Sequence, residues 1–182
     1  SLDTQWGYVC EGFFKDDADI AGHAKQTFGD VKPGDLKYKD MNGDGTIDSK
    51  DQVNLGKTGS SAAPFIYGMN LTLKWKQFTL FALATGQSGA IGIKSSSYYW
   101  VKGSGKYSEI VRGRWTPETA DNATYPRLTT TDNSNNFQSS TFWRYSTNRF
   151  DLQRVQLTYD LPKHIFGNSF IKGLSVYVSG AD

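Results

Sequence analysis

With 182 residues, 20 Lys and Arg against 18 Asp and Glu, and a formal net charge of +2, the chain has room for one ordinary domain and lacks the basic excess that attracts nucleic acid. Its 19 Gly, 37% hydrophobic and 14% aromatic residues describe a turn-rich, ring-rich β protein rather than a helical bundle. The single cysteine, Cys10, excludes an internal disulfide and any paired-cysteine metal or redox motif.

From the start of the chain, Ser1-Leu-Asp-Thr-Gln-Trp6 lacks the charged start and apolar stretch of a signal peptide, so a mature segment or an excised piece is expected. Cys10 reads as a buried, inert thiol. His23 and His164 lie far apart without zinc-ligand spacing and read as isolated side chains.

The most specific motif follows at 40–51, Asp40-Met-Asn42-Gly-Asp44-Gly45-Thr46-Ile47-Asp48-Ser-Lys-Asp51. It matches the twelve-residue calcium loop, with oxygen side chains at positions one, three, five and nine, glycine at six, a main-chain carbonyl at seven and a carboxylate at twelve. Calcium takes six to eight hard oxygen ligands. Asp40, Asn42, Asp44, the Thr46 carbonyl, Asp48 and Asp51 are the expected set, and Ile47 at position eight is expected to anchor the loop from below. Asp51 has a shorter arm than the glutamate of helix-loop-helix sensors, as in dockerin-type loops. With no second loop and no long amphipathic flanking helices, the expected role is a structural ion rather than a switch.

Alternation of period two then marks strands. Over 65–75, Phe65, Tyr67, Met69, Leu71, Leu73 and Trp75 share one face, and Ile66, Gly68, Asn70, Thr72 and Lys74 the other. Lys76-Gln77 is a short break before 78–85, which is apolar on both faces and reads as the return strand of a tight hairpin. Residues 77–93 are free of charge, yet they are too short and too rich in Thr and Gly for a spanning helix. Two further strands are expected around Val155, Leu157, Tyr159 and Leu161 and around Leu174, Val176 and Val178, joined across 162–173.

Between 87 and 148 the alternation dissolves into Gly, Ser, Thr and Asn with embedded rings. Tyr98, Tyr99 and Trp100, with Tyr107 and Trp115 nearby, are candidates for stacking on a sugar or a protein lid, or simply for giving a long loop its own core. The Gly43–Gly45 and Gly103–Gly105 pairs read as turns. Catalysis is not expected, because no GxSxG occurs, neither histidine neighbours a nucleophile, and the densest carboxylates belong to the calcium motif. Short connections at 76–77 and 162–173 alternate with long ones at about 40–63 and 87–148. That asymmetry suits an outer-membrane barrel with brief turns at one end and large loops at the other, and a soluble sandwich fits the alternation equally well.

Taken in order, these segments resemble the C-terminal part of the SusC/RagA family of TonB-linked outer-membrane proteins from Bacteroidetes-type bacteria. The resemblance rests on Gly7-Tyr-Val-Cys-Glu-Gly-Phe13 (similar to GYxxDGxF), on Gly34-Asp-Leu-Lys-Tyr-Lys-Asp-Met-Asn-Gly-Asp-Gly-Thr-Ile-Asp48 (similar to GDxKYxDxNGDGxID), and on Arg114-Trp-Thr-Pro117. Phe142-Trp143, Leu152-Gln-Arg-Val-Gln-Leu-Thr-Tyr-Asp-Leu-Pro162 and Gly173-Leu-Ser-Val-Tyr-Val-Ser-Gly180 continue it.

The resemblance implies an all-β fold of antiparallel up-and-down strands from an outer-membrane β-barrel with long extracellular loops. In the family such barrels have about 22 strands and an N-terminal plug. It further implies a SusD-type surface lipoprotein that closes the mouth, import of oligosaccharides or peptides, energy supplied through TonB, and residence in the cell outer membrane. Residues 1–182 would then be one stretch of barrel, a fragment whose transport function belongs to its parent, with calcium as the expected cofactor. Asp151 stands where the family usually has a basic residue, and the alternation slips between Leu152 and Val155, which calls for a bulge. The competing expectation is a soluble, secreted, calcium-dependent carbohydrate-binding β-sandwich that uses Tyr98, Tyr99 and Trp100.

Overall fold

The computed structural model describes residues 3–59, 63–103, 108–131, 133–167, 170–171 and 173–182. Gly105 and Tyr107 lie outside them. Contacts divide the chain into two units, Ser1–Thr58 with Ile91–Ser146, and Gly59–Ala90 with Thr147–Asp182.

In chain order the strands are β1 (Thr4–Gly7), β2 (Cys10–Phe13), β3 (Lys25–Gln26), β4 (Leu36–Tyr38), β5 (Thr46–Ile47), β6 (Val53–Lys57), β7 (Phe65–Trp75), β8 (Phe78–Ser88), β9 (Ile91–Ile93), β10 (Arg144–Ser146), β11 (Arg149–Asp160) and β12 (Ser175–Ala181). A five-residue helix, α1 (Asp17–Ala21), is capped by the Asp16 side chain, which accepts from the Asp19 amide.

The second unit is one antiparallel four-stranded sheet in the order β12-β11-β8-β7. Its long strands fulfil the period-two reading, and β7 and β8 pair from Phe65↔Ser88 to Trp75↔Phe78. The turn between them is two residues, with Lys76 at φ 51° and its ammonium 4.7 Å from the centre of the Trp75 ring. At that same end Leu161 donates to the Leu174 carbonyl, closing the connection into β12. The links to the other unit leave from the opposite end, before Phe65, after Ser88 and before Arg149.

The register shows what this pairing does to the side chains. Directly paired residues lie on the same face. One face therefore carries Tyr67, Met69, Leu71, Leu73 and Trp75 from β7, Phe78, Leu80, Ala82 and Ala84 from β8, Leu152, Val155, Leu157 and Tyr159 from β11, and Val176 and Val178 from β12.

Leu152 and Val155 have opposite parity, so an unbroken strand would point them to opposite faces. A bulge between Leu152 and Arg154, where the pairing steps from Ala84 to Leu83, returns both to the apolar side. The opposite face is polar and charged, with Asn70, Thr72, Lys74, Thr79, Thr85, Arg154, Gln156 and Thr158, interrupted by Ile66, Phe81, Leu83 and Tyr177.

The apolar face stands open. On β7 its side chains are 46% to 67% exposed. A sandwich would bury this face under a second sheet about 10 Å away, and among the described residues nothing covers it.

The first unit has short strands and a compact core. Residues 87–148 are not a bare loop there. Past the end of β8 they contain β9, β10 and three 3₁₀ turns, and they pack their rings with residues from the first third of the chain. Tyr8 lies 4.8 Å from Phe28 and 5.5 Å from Tyr38, and Trp143 is surrounded by Phe142 at 4.7 Å, Tyr125 at 5.7 Å and Trp100 and Phe137 at 6.3 Å. Ring pairs of this geometry add roughly 0.5–1.5 kcal/mol each beyond the area they bury.

Polar groups organise this core as much as rings do. Asp35 has no exposed surface. Its carboxylate accepts from the Lys32 amide (2.8 Å), from Asn133 and Asn136 (2.8 Å each) and from Arg127 Nη2 (3.0 Å), while Arg127 Nε approaches to 2.8 Å outside hydrogen-bond alignment. Neighbouring amides then act as a substitute strand beside β4. Asn136 accepts from the Leu36 amide (2.8 Å), Asn135 and Gln26 donate to the Leu36 carbonyl (2.9 and 3.0 Å), and Gln26 accepts from the Tyr38 amide (2.7 Å).

Removing one member of a buried charged pair strands the other, at a cost of about 3–5 kcal/mol. Asp35→Ala is therefore expected to lower the thermal midpoint of the full-length protein sharply. The double substitution Asp35→Leu with Arg127→Met should recover only part of the loss, because it removes the uncompensated charge but still leaves the Lys32, Asn133 and Asn136 donors without their acceptor.

Candidate functional site

The 40–51 loop is built on a buried anchor. Ile47 is fully buried, and β5 runs parallel to β3, with the Lys25 amide donating to the Gly45 carbonyl (3.0 Å) and the Thr27 amide to the Ile47 carbonyl (3.2 Å). Gly43 (φ 76°) and Gly45 (φ 81°) hold the left-handed conformations that let the loop reverse tightly.

Every acidic side chain of the motif turns inward onto the loop's own amides. Asp40 accepts from Gly43 (2.7 Å) and Gly45 (2.8 Å), Asn42 from Asp44 (2.9 Å), Asp44 from Thr46 (2.9 Å) and Asp48 from Lys50 (2.8 Å). Asp51 closes the loop from its far end. Fully buried, it accepts from the Met41 amide (2.8 Å) and the Asp48 amide (2.9 Å), with Asn42 at 3.4 Å. Burial pushes its carboxyl upward, but the amides of Asp48, Met41 and Asn42, with Asp40 beside them, outweigh that and hold it below its ordinary 3.8.

As a donor set the loop suits a hard divalent cation. It offers four carboxylates, one side-chain amide and the Thr46 carbonyl within twelve residues, and an oxygen that accepts one amide keeps a second lone pair for a metal. The Lys50 ammonium stands 3.8 Å from both Asp44 and Asp48, a cation drawn to the same two carboxylates. Among the described residues no three carboxylate, imidazole or thiol groups converge on one metal-sized point. Binding would therefore require Lys50 to withdraw and the Asp44 and Asp48 carboxylates to swing from the amides they now bond toward one shared centre.

The three rings at 98–100 do not form one platform. Tyr98 is exposed and meets Tyr99 edge-on at 5.1 Å. Trp100 turns toward the core, 6.0 Å from Phe137, with the Lys102 ammonium 5.5 Å from its ring. Tyr99 lies between these roles. Its carbonyl accepts from the buried Tyr125 hydroxyl (2.7 Å), and its ring lines a pocket of about 290 Å³ with Ile93, Lys94, Ser95, Ser96 and Tyr145. Lys94 and Tyr145 escaped the sequence reading, because fifty residues separate them and only the β9–β10 pairing brings them together.

Cys10 is half-buried, and burial raises its thiol from 9.0 to about 11, in keeping with the inert reading. His23 donates through Nε2 to the Tyr38 carbonyl (2.7 Å), which can only accept, so Nε2 carries a proton.

With this geometry in view, comparison with known proteins shows what the chain resembles. The strand-and-loop arrangement recurs within solved transporter structures. The chain superposes on the structure of the RagAB peptide transporter with a TM-score of 0.62 at 19% identity, over 97% of this chain and 18% of that one. A RagAB peptide importer in a closed-closed state gives 0.60 at 19% identity, over 96% and 18%.

A curated relative, TonB-dependent receptor P26 of Formosa agariphila, is 29% identical over 154 residues, which is 82% of this chain and 15% of the receptor. No family model matches the chain. The resemblance to SusC/RagA TonB-linked proteins read from the motifs is borne out, and the chain spans less than a fifth of each of these proteins.

Loss of Asp51 should open the loop even without metal. Asp51→Ala takes away the acceptor of the part-buried Met41 and Asp48 amides, at about 1 kcal/mol for each lost bond. Hydrogen exchange at Met41, Asn42 and Asp48 is expected to accelerate, whereas Asp40→Ala, on a more exposed part of the loop, should speed exchange only at Gly43 and Gly45. Because the folded-state pKa is depressed, this stabilisation is present above pH 3.8 and is lost as the pH falls through the lower folded value. The same amides should therefore lose protection on acidification.

Proposed function

We propose that the chain is part of a TonB-dependent transporter of the SusC/RagA type, resident in the cell outer membrane, which imports glycans together with a SusD-type surface lipoprotein. Peptides are the alternative cargo, and no catalytic role is assigned. The observation that carries this reading is the continuous apolar face of the four-stranded sheet, opposite a polar one.

The three long strands have 11, 11 and 12 residues. At about 3.4 Å per residue and a tilt near 45°, eleven residues rise about 26 Å, which matches the ~25 Å apolar band of an outer-membrane barrel. Trp75, Phe78 and Tyr159 gather at the turn end of the apolar face and Phe65, Tyr67 and Phe150 at the other, as interfacial girdles do. On this reading the edges of β7 and β12 are seams to neighbouring strands, and the polar face lines the lumen. The secreted sandwich loses support because its defining feature, a covered apolar face, is absent among the described residues.

In this setting the 40–51 loop is an external element pinned by one calcium ion held by Asp40, Asn42, Asp44, the Thr46 carbonyl, Asp48 and Asp51. Support comes from the donor set and from the loop's pre-formed turn. The ion would supply positive charge that locks the loop to the core through Ile47.

Three measurements test the reading. Deletion of the full-length gene should abolish TonB-dependent uptake of a labelled oligosaccharide, and uptake that persists would count against the importer. In the full-length barrel, Leu71→Arg should cost roughly 2–4 kcal/mol near the bilayer midplane, while Thr72→Arg on the wet face should be tolerated. Equal effects in a lipid-reconstituted unfolding titration would sink the lipid-facing assignment. Isothermal titration of the chelator-treated full-length protein should show calcium heat that Asp44→Ala diminishes by one site, and titrations that do not differ would remove the site.

A further inference from the structure

The pocket beside β9 and β10 has a composition that its neighbours lack. It is lined by Ile93, Lys94, Ser95, Ser96, Tyr99 and Tyr145, and its volume of about 290 Å³ lies at the small end of ligand pockets, room for one ring rather than a chain.

Its frame is fixed in advance. The Lys94 amide donates to the Trp143 carbonyl (2.8 Å), and the Tyr99 and Trp100 amides both donate to the Ser96 carbonyl (2.9 Å each). Tyr145 lies flat against Gly92, where even a Cβ would come within 2.5 Å of its ring.

Lys94 is half-buried, and among the described residues its ammonium has no carboxylate partner. Its neighbour is the Tyr99 ring, 5.5 Å away. A pocket whose one charged residue among its described lining is a half-buried lysine without a carboxylate partner favours an anion. The two phenol rings offer stacking surfaces, and the Ser95 and Ser96 hydroxyls offer donors and acceptors suited to a polyhydroxylated ring. A peptide side chain would use the ammonium but leave most of this hydroxyl capacity idle.

We propose that this pocket is a subsite for a singly anionic sugar ring, bearing either a uronate carboxylate or a sulfate ester, within an oligosaccharide. The proposal rests on the glycan-importer reading and makes it more specific.

The test uses the purified full-length transporter in detergent. Trigalacturonic acid, a monosulfated galactotriose, neutral galactotriose and triglutamate are compared by isothermal titration. An anionic trisaccharide should bind at least about tenfold more tightly than the neutral one, Lys94→Met should erase that preference, and Lys94→Arg should retain most of it. Which of the two acidic sugars wins identifies the anion. Raised salt should weaken the preferred ligand and leave the neutral one unchanged.

The wild-type comparison decides without any variant, should Lys94→Met fail to fold. No preference for either anionic sugar overturns the subsite, as does a preference that survives Lys94→Met. Triglutamate binding more tightly than both sugars, and lost in Lys94→Met, overturns it in favour of a peptide site. Uptake by cells separates the two levels of the argument. TonB-dependent uptake of saccharides without anionic preference overturns the subsite alone, while no saccharide uptake overturns the importer reading.

Discussion

A carboxylate with no access to water must find its donors within the protein, and Asp35 finds them far along the chain. Lys32 is local, but Arg127, Asn133 and Asn136 lie about a hundred residues away. Meeting that requirement draws the 113–137 region onto the 25–38 region, and the rest of the first unit follows. Asn135 and Asn136 then supply the bonds that a missing strand would otherwise give to β4, and the Asn136 carbonyl accepts from the indole of Trp143 (2.9 Å). The ring cluster thus closes on a polar framework. Without the framework these short strands, none longer than five residues, have too little pairing to persist alone.

The same framework bears on the 40–51 loop. β5 pairs with β3, β3 ends at Gln26, and Gln26 is bonded to β4 and to Asn135. The loop is therefore held at its base by the core, and its amide-bonded carboxylates are held at its rim. A cation arriving there would meet a turn whose entropy of ordering has already been lost, so a modest rearrangement of Lys50, Asp44 and Asp48 separates the free and bound forms. A cation held there would act as a pin and not as a switch.

The sheet obeys a different constraint. Its strands satisfy one another's backbone groups but cannot cover their own apolar face, and the bulge at Leu152 to Arg154 goes against regularity to keep that face unbroken. Such a face is stable only against lipid or another apolar layer. Lysine at the tight turn, aromatic residues at both ends and threonines on the opposite side agree with lipid.

Alternation was enough to place β7 at 65–75 and to require the bulge in β11, since side-chain parity in a strand is a local property of the chain. The tight turn at 40–51 and its anchor Ile47 were legible for the same reason, since glycine and apolar positions within twelve consecutive residues set them. The 129–136 stretch, by contrast, read as irregular polar chain. Asparagine is a surface or turn residue by default, and only the distant Asp35 and β4 make Asn133, Asn135 and Asn136 core residues. The rings at 98–100 read as a single set because they are adjacent, yet the structure sends Trp100 inward and leaves Tyr99 to share a pocket with Lys94 and Tyr145. Spacing along a chain determines which residues share a face. Tertiary pairing alone decides which of them meet, because a hydrogen bond or a shared pocket depends on distance in space, and no local pattern encodes the approach of residues fifty or a hundred positions apart.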